Sequence, residues 1–182
     1  KRQIIRIFLI LFLFQFNEAY SQKIKWLKFE EAIEMQKNNP KKIIMDLYTN
    51  WCGPCKVMDK KTFGNRHVAK YINEFYYAVK FNAEGDEVIN FFDQKFINSN
   101  YDPNKKGRNS THQFTRFLKV EGYPTIVFFS EEGDPIMPVT GFQDVQEIEL
   151  YLKMIKQGDY IVFKTSKDFD KYKKFFRPKF KD

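Results

Sequence analysis

The chain's only two cysteines lie in the segment Trp51-Cys52-Gly53-Pro54-Cys55, close behind the apolar run Ile43 to Tyr48. A run of strand formers that turns through Gly-Pro reads as a buried strand, a tight turn and a helix from about Pro54 to Lys61. Proline suits a first helical turn, where its missing N–H would lack a partner anyway. One residue breaks the apolar run. Asp46 puts a carboxylate inside what reads as a central strand, where an acid is costly to bury without a compensating role.

The N-terminal segment bears on where these cysteines work. Lys1, Arg2 and Arg6 form a basic start, Ile7 to Phe14 is unbroken and apolar, and Ala19-Tyr20-Ser21 offers small residues where a signal peptidase reads. Residues 1–21 therefore read as a cleaved signal peptide, leaving Gln22 as the mature start. A membrane anchor is the competing reading, but spanning takes about 20 apolar residues, and Gln15, Asn17 and Glu18 end this run early. An exported chain meets an oxidising compartment, where small domains often use several disulfides as staples. A Cys-x-x-Cys bond closes too short a loop for that purpose, so the pair reads as chemical rather than structural.

The position of the pair supports this. Cys52 stands where the unpaired N–H groups and the positive end of a helix stabilise a thiolate, the nucleophile of disulfide exchange. Cys52 is expected to attack a substrate disulfide, and Cys55 to attack the resulting mixed disulfide and release the product. Haem attachment would need His after the second cysteine, where Lys56 stands. A closed zinc site would need about four ligands, and His67 and His112 are far apart and read as surface or partly packed residues. No metal and no cofactor beyond the dithiol is expected. A dithiol without a redox role remains open on spacing alone.

The rest of the chain alternates. Short strands are expected over Ile24 to Phe29, Ile43 to Tyr48 and Tyr76 to Asn82, and helices over Glu30 to Lys37, Arg66 to Ile72 and Asp86 to Phe96. Asn98 to Ser110 is polar and turn-rich, an exposed loop, and His112 to Val120 reads as a helix. Thr125 to Phe129 and Ile136 to Thr140 read as a hairpin around Glu131-Glu132-Gly133-Asp134. Val145, Ile148, Leu152 and Ile155 repeat at helical spacing, and a last helix is expected from Lys167 to Phe176. The order is that of one α/β domain with helices on both faces of a sheet. Its core should be largely aromatic, since 21 residues are Phe. The net charge of +8 falls to +6 without residues 1–21, and its densest basic stretch, Lys171 to Lys181, is a chain terminus rather than an aromatic-interleaved stripe, which argues against nucleic-acid binding.

Trp51-Cys52-Gly53-Pro54-Cys55 resembles the signature of the thioredoxins, and the resemblance runs from residue 22 to about residue 157. Asp46 is similar to that family's buried acid, Lys80 to the lysine that pairs with it, and Tyr123-Pro124-Thr125 to its cis-proline loop. Lys28-Phe29-Glu30-Glu31-Ala32 and Thr62-Phe63 look more like the exported thioredoxin-like reductases, including the periplasmic end domain of transmembrane thiol transporters. The resemblance implies a thioredoxin fold: a central mixed sheet flanked by helices, with a helical and loop insertion at about 86–120 before the cis-proline strand. A basic extension, 158–182, lies outside it and is expected to pack on the domain or trail from it.

The resemblance also implies roles. Asp46 would accept the thiol proton of Cys55, with Lys80 limiting how far its pKa climbs. A salt-bridged structural acid is the duller alternative. A cis bond at Pro124 would present the backbone of Tyr123 beside Cys52 for strand-like pairing with a substrate. Trp51, Gly53 and Pro54 would complete the groove. The implied activity is reduction of disulfides in exported proteins by a monomer recharged from a membrane thiol-reductant supplier. An oxidase or isomerase of the same fold, or a binding module with an idle dithiol, are the alternatives. The long insertion and the bulk of Tyr123 depart from the family pattern and bear on partner choice.

Overall fold

The structure is a computed structural model that describes residues 23–181; the segment read as a signal peptide lies outside the described residues. A five-stranded sheet has the order β1-β3-β2-β6-β7, formed by β1 (Trp26–Leu27), β2 (Lys42–Tyr48), β3 (Tyr76–Asn82), β6 (Thr125–Phe129) and β7 (Pro135–Thr140). The first three run parallel, β6 is antiparallel to β2, and β7 is antiparallel to β6. The parallel β2–β3 pair requires a crossover, which the helices α2 (Gly53–Met58) and α3 (Arg66–Phe75) supply. β7 contains Pro135 and Pro138, which an edge strand tolerates and which leave fewer donors for unwanted pairing.

Strand alternation divides the core into two layers. Ile44, Ala78, Ile126 and Phe128 meet Met58 and Phe63, then Val68 and Ile72 of α3 and Ile148, Leu152 and Ile155 of α5 (Val145–Gln157). The opposite face, with Ile43, Met45, Leu47, Val79, Phe81 and Phe129, is covered by α1 (Phe29–Asn38) and the insertion. The expected aromatic core sits in this second layer. Phe29 packs against Phe91, Phe114 and Phe129 with ring centroids 5.4, 5.0 and 5.3 Å away. Among the described residues no helix is long and apolar enough to cross a membrane.

Several elements differ from the sequence-based expectation. The strand expected over 24–29 is only two residues long, because Phe29 already opens α1 and is fully buried beneath it. The helix expected over 86–96 is instead a hairpin of β4 (Ile89–Phe91) and β5 (Gln94–Phe96). Ile89, Phe91 and Phe96 are buried while Asn90 is exposed, so the burial follows the period of two that a strand requires. Its turn uses positive φ at Phe92 (50°) and Asp93 (57°), without the Asn-Gly or Asp-Gly that usually announces such a turn. The helix expected over 112–120 shortens to α4 (Gln113–Phe117).

His112, expected at the surface or partly packed, is wholly buried. Its Nδ1 accepts from the N–H of Phe114 at 3.0 Å, capping α4, which leaves Nε2 to donate to the Glu87 carbonyl at 2.7 Å. Burial pushes its pKa down, in keeping with this neutral ring. The C-terminal residues continue from Gly158 (φ +80°) through a 3₁₀ turn, Asp159–Val162, into α6 (Ser166–Phe175). The end of the chain folds back onto α3 and α5, where Phe180 stacks on His67 with centroids 6.1 Å apart.

Candidate redox site

The end of β2 delivers the chain to a turn in which the N–H of Cys52 donates to the Thr49 carbonyl at 3.1 Å. Cys52 is the N-cap of α2, extended at φ −72° and ψ 100°, and Pro54 takes the second helical position. The helix continues as a π-helical stretch, Asp59–Phe63. It ends at Gly64, where a Cβ would stand 2.3 Å from the Lys60 carbonyl oxygen, so any larger residue would push the turn open. Cys52 and Cys55 are joined as a disulfide. In this oxidised form both are almost wholly buried, Cys52 2% and Cys55 3% exposed. The bond draws the Cys52 sulfur back over the helix, where the N–H of Cys55 donates to it at 3.1 Å.

Asp46 lies on the sheet face that α2 covers and is 1% exposed. It stands opposite Lys80 in the parallel β2–β3 register, with Nζ 3.3 Å from its Oδ2. Lys80 also bonds Asp59 at the end of α2, a partner that the sequence reading missed. Trp26 and Tyr48 flank the same ammonium at 5.1 and 5.2 Å from their ring centroids. The other carboxylate oxygen of Asp46, Oδ1, is buried without a hydrogen-bond partner. Burial lifts its pKa from 3.8 to about 6, opposed by Lys80 and aided by the nearby Asp59 charge.

This has a consequence for stability. Because the folded protein holds the Asp46 proton to higher pH than the unfolded chain does, stability is lost as pH rises between 3.8 and about 6. Asp46→Asn removes that loss while Lys80 keeps Asp59 as its partner. The variant should therefore be more stable than the wild type by on the order of 3 kcal/mol at pH 7 and by under about 1 kcal/mol at pH 4. Urea unfolding of the oxidised proteins at the two pH values measures this directly. Equal stability at pH 7 would show that Asp46 ionises there without penalty.

Tyr123-Pro124 is a cis peptide bond, and the loop is fixed by the N–H of Gly141 donating to the Pro124 carbonyl at 2.8 Å and by Thr125 Oγ1 donating to the Gly122 carbonyl at 2.7 Å. The fold brings this loop to the dithiol turn. Trp51 and Tyr123 meet edge to face, centroids 6.1 Å apart. Gly53 and Pro54 are exposed, and a Cβ at Gly53 would meet nothing within 4 Å, so the outer side of the turn is open to a partner. Two residues absent from the sequence reading hold Trp51 in place. Its Nε1 donates to Glu84 Oε2 at 2.8 Å, and the Arg108 guanidinium lies 4.3 Å over its ring. Nothing local in the sequence marks either one, since each reaches Trp51 across more than 30 residues.

The strand order, the disulfide at a helix start and the cis-proline loop facing it together define a protein of thioredoxin fold. The sequence profile of the family described as the thioredoxin-like domain matches residues 29–156, and the chain belongs to that family. It is 30% identical to the thiol:disulfide interchange protein DsbD of Escherichia coli over 128 residues, which is 69% of this chain and 18% of that protein. It spans about a fifth or less of the curated relatives it matches. Among solved structures, a thioredoxin-fold protein from Helicobacter pylori superimposes with a TM-score of 0.57 at 20% identity, covering 75% of this chain and 82% of that one. A Bacteroides thetaiotaomicron protein described as a candidate disulphide-isomerase gives 0.50 at 27% identity, over 78% of this chain and 97% of that one.

Proposed function

We propose that the protein is a thiol–disulfide oxidoreductase that reduces disulfides in exported proteins, with the Cys52–Cys55 pair as its redox centre. The observation that supports this most directly is a disulfide capping a helix with an acid of raised pKa on the sheet face beneath that helix. In the reduced form the Cys52 thiolate attacks one sulfur of the substrate disulfide, forming a mixed disulfide and releasing the first substrate thiolate, which takes up a proton from solvent. Asp46, through its unpartnered Oδ1, receives the proton of Cys55. The Cys55 thiolate then attacks Cys52 Sγ, the second substrate sulfur leaves as a thiolate and takes up the proton held by Asp46, and the pair is oxidised as the substrate gains two electrons. Asp46→Asn should slow this second step about tenfold at neutral pH while leaving the first attack unchanged.

Trp51, Gly53, Pro54 and Tyr123 form the surface on which an extended partner segment lies, with the buried Pro124 setting the backbone of Tyr123 behind it, and Lys80 tunes Asp46. The signal-like segment 1–21 and the similarity to DsbD support an extracytoplasmic location and recharging by a membrane thiol-reductant supplier. Equilibration of the purified protein with glutathione tests the direction of electron flow. A potential below roughly −240 mV is the expected result, and one above about −170 mV would assign it instead as an oxidase or isomerase.

A further inference from the structure

The segment 98–110, which the family pattern does not need, is tied to the redox site rather than hanging free of it. Within the loop, Asn109 Nδ2 donates to the Asp102 carbonyl at 2.7 Å and the N–H of Asp102 returns a bond to Asn109 Oδ1 at 3.1 Å. Its base is held by Ser110 Oγ donating to Asn98 Oδ1 at 2.6 Å and by Asn98 Nδ2 donating to the Gly85 carbonyl at 3.0 Å. The N–H of Asn109 then donates at 2.8 Å to Glu84 Oε2, the same oxygen that accepts from Trp51 Nε1. A single buried carboxylate thus fixes both the tryptophan beside Cys52 and the loop that reaches over it.

This arrangement sets Arg108 against the ring of Trp51, 4.3 Å from guanidinium carbon to centroid. Stacking on an aromatic face orients a guanidinium without neutralising it. Arg108 is exposed, and among the described residues no carboxylate lies within 4.0 Å of it. Glu84, the acid that holds Trp51, already accepts from Trp51 and Asn109. Lys105 and Lys106, in the same segment, are also exposed. An oriented, unpaired cation at the rim of a groove is a recognition element for an anion on whatever enters it.

Resting on the dithiol reading above, we propose that Arg108 is a specificity-determining residue that selects partners carrying a carboxylate side chain next to the disulfide to be reduced. The carboxylate meets the outer face of the guanidinium while the partner's sulfur reaches Cys52 beside Trp51. No bond is made or broken at Arg108, which acts only in binding and orientation.

Three cyclic peptide disulfides, identical except for Glu, Gln or Lys beside one half-cystine, test this with the reduced protein. The expected order of kcat/KM is Glu, then Gln, then Lys, with Glu over Lys by about tenfold or more at low salt and less as salt is raised. Arg108→Gln should bring the Glu-to-Lys ratio to within about twofold of unity, and Arg108→Lys, which keeps the charge, should retain part of the preference for Glu. Lys105→Gln combined with Lys106→Gln should leave most of the ratio in place. Equal rates for the three peptides, or a preference that survives Arg108→Gln, would overturn the proposal alone. Reduction of none of them by the wild type would overturn the dithiol reading and the proposal together.

Discussion

Cys52→Ser should lose at least about 10³-fold of its insulin-type disulfide reduction, whereas Cys55→Ser should accumulate covalent mixed disulfides with its substrates. The difference follows from where each sulfur stands. Cys52 caps α2, where a thiolate is stabilised by the unpaired N–H groups of the first turn, and a serine hydroxyl at that position is not ionised at neutral pH and does not attack sulfur. Cys55 lies one turn into the helix, away from the cap position at which the free N–H groups stabilise a thiolate, so it acts on a disulfide already formed at Cys52. Without it the first step still runs and the second cannot, and mass spectrometry of the variant mixed with a disulfide peptide should show the adduct at Cys52. Equal trapping by both variants would mean that either cysteine can lead, and the assignment of attacking and resolving roles would fall.

The second large effect is expected far from the sulfurs. Glu149, in the middle of α5, is wholly buried and bonded to Lys153 one turn on. Its carboxylate also accepts the backbone N–H of Lys179 at 3.0 and 2.8 Å and that of Phe180 at 2.7 Å, so it clamps the returning end of the chain. Asn65 Nδ2 adds a bond to the Lys181 carbonyl at 2.7 Å, and Phe180 fills the space beside Tyr71 and His67. Glu149→Ala leaves two part-buried N–H groups and one ammonium without this acceptor, and should lower the unfolding free energy by roughly 2 kcal/mol. Glu149→Gln retains one acceptor oxygen and should lose about half as much. Urea unfolding gives the magnitude, and faster amide exchange confined at first to residues 177–181 would locate the lost clamp. An unchanged midpoint for the alanine variant would show that the extension adds nothing to the stability of the domain.

The local periodicity of the chain was enough for its regular parts. β3 and β6 fall where their apolar runs predicted, and the apolar repeat Val145, Ile148, Leu152 and Ile155 is the buried stripe of α5. The same reasoning failed over 86–96. Val88, Ile89, Phe92 and Phe96 fit a helical spacing about as well as Ile89, Phe91 and Phe96 fit a strand spacing, and the contacts that decide between them, with Phe29, Phe114 and Phe129, come from distant parts of the chain. Asn90 is held in the hairpin by Glu30, 60 residues earlier, which donates nothing to the local pattern but accepts from both Asn90 nitrogens at 2.9 and 2.7 Å.

The candidate site divides along the same line. The sequence by itself determined the residues whose positions are set within one strand–turn–helix: the two cysteines, Trp51, and an acid inside an apolar strand, because spacing along a regular element fixes which groups share a face. Tertiary structure decided what surrounds them. The parallel register sets Lys80 opposite Asp46, the helix end adds Asp59 to that pair, and the insertion brings Glu84 and Arg108 to Trp51. Charges and rings acquire partners, and hence pKa values and orientation, only when segments remote in the chain are packed together, and no local period encodes which segments those will be.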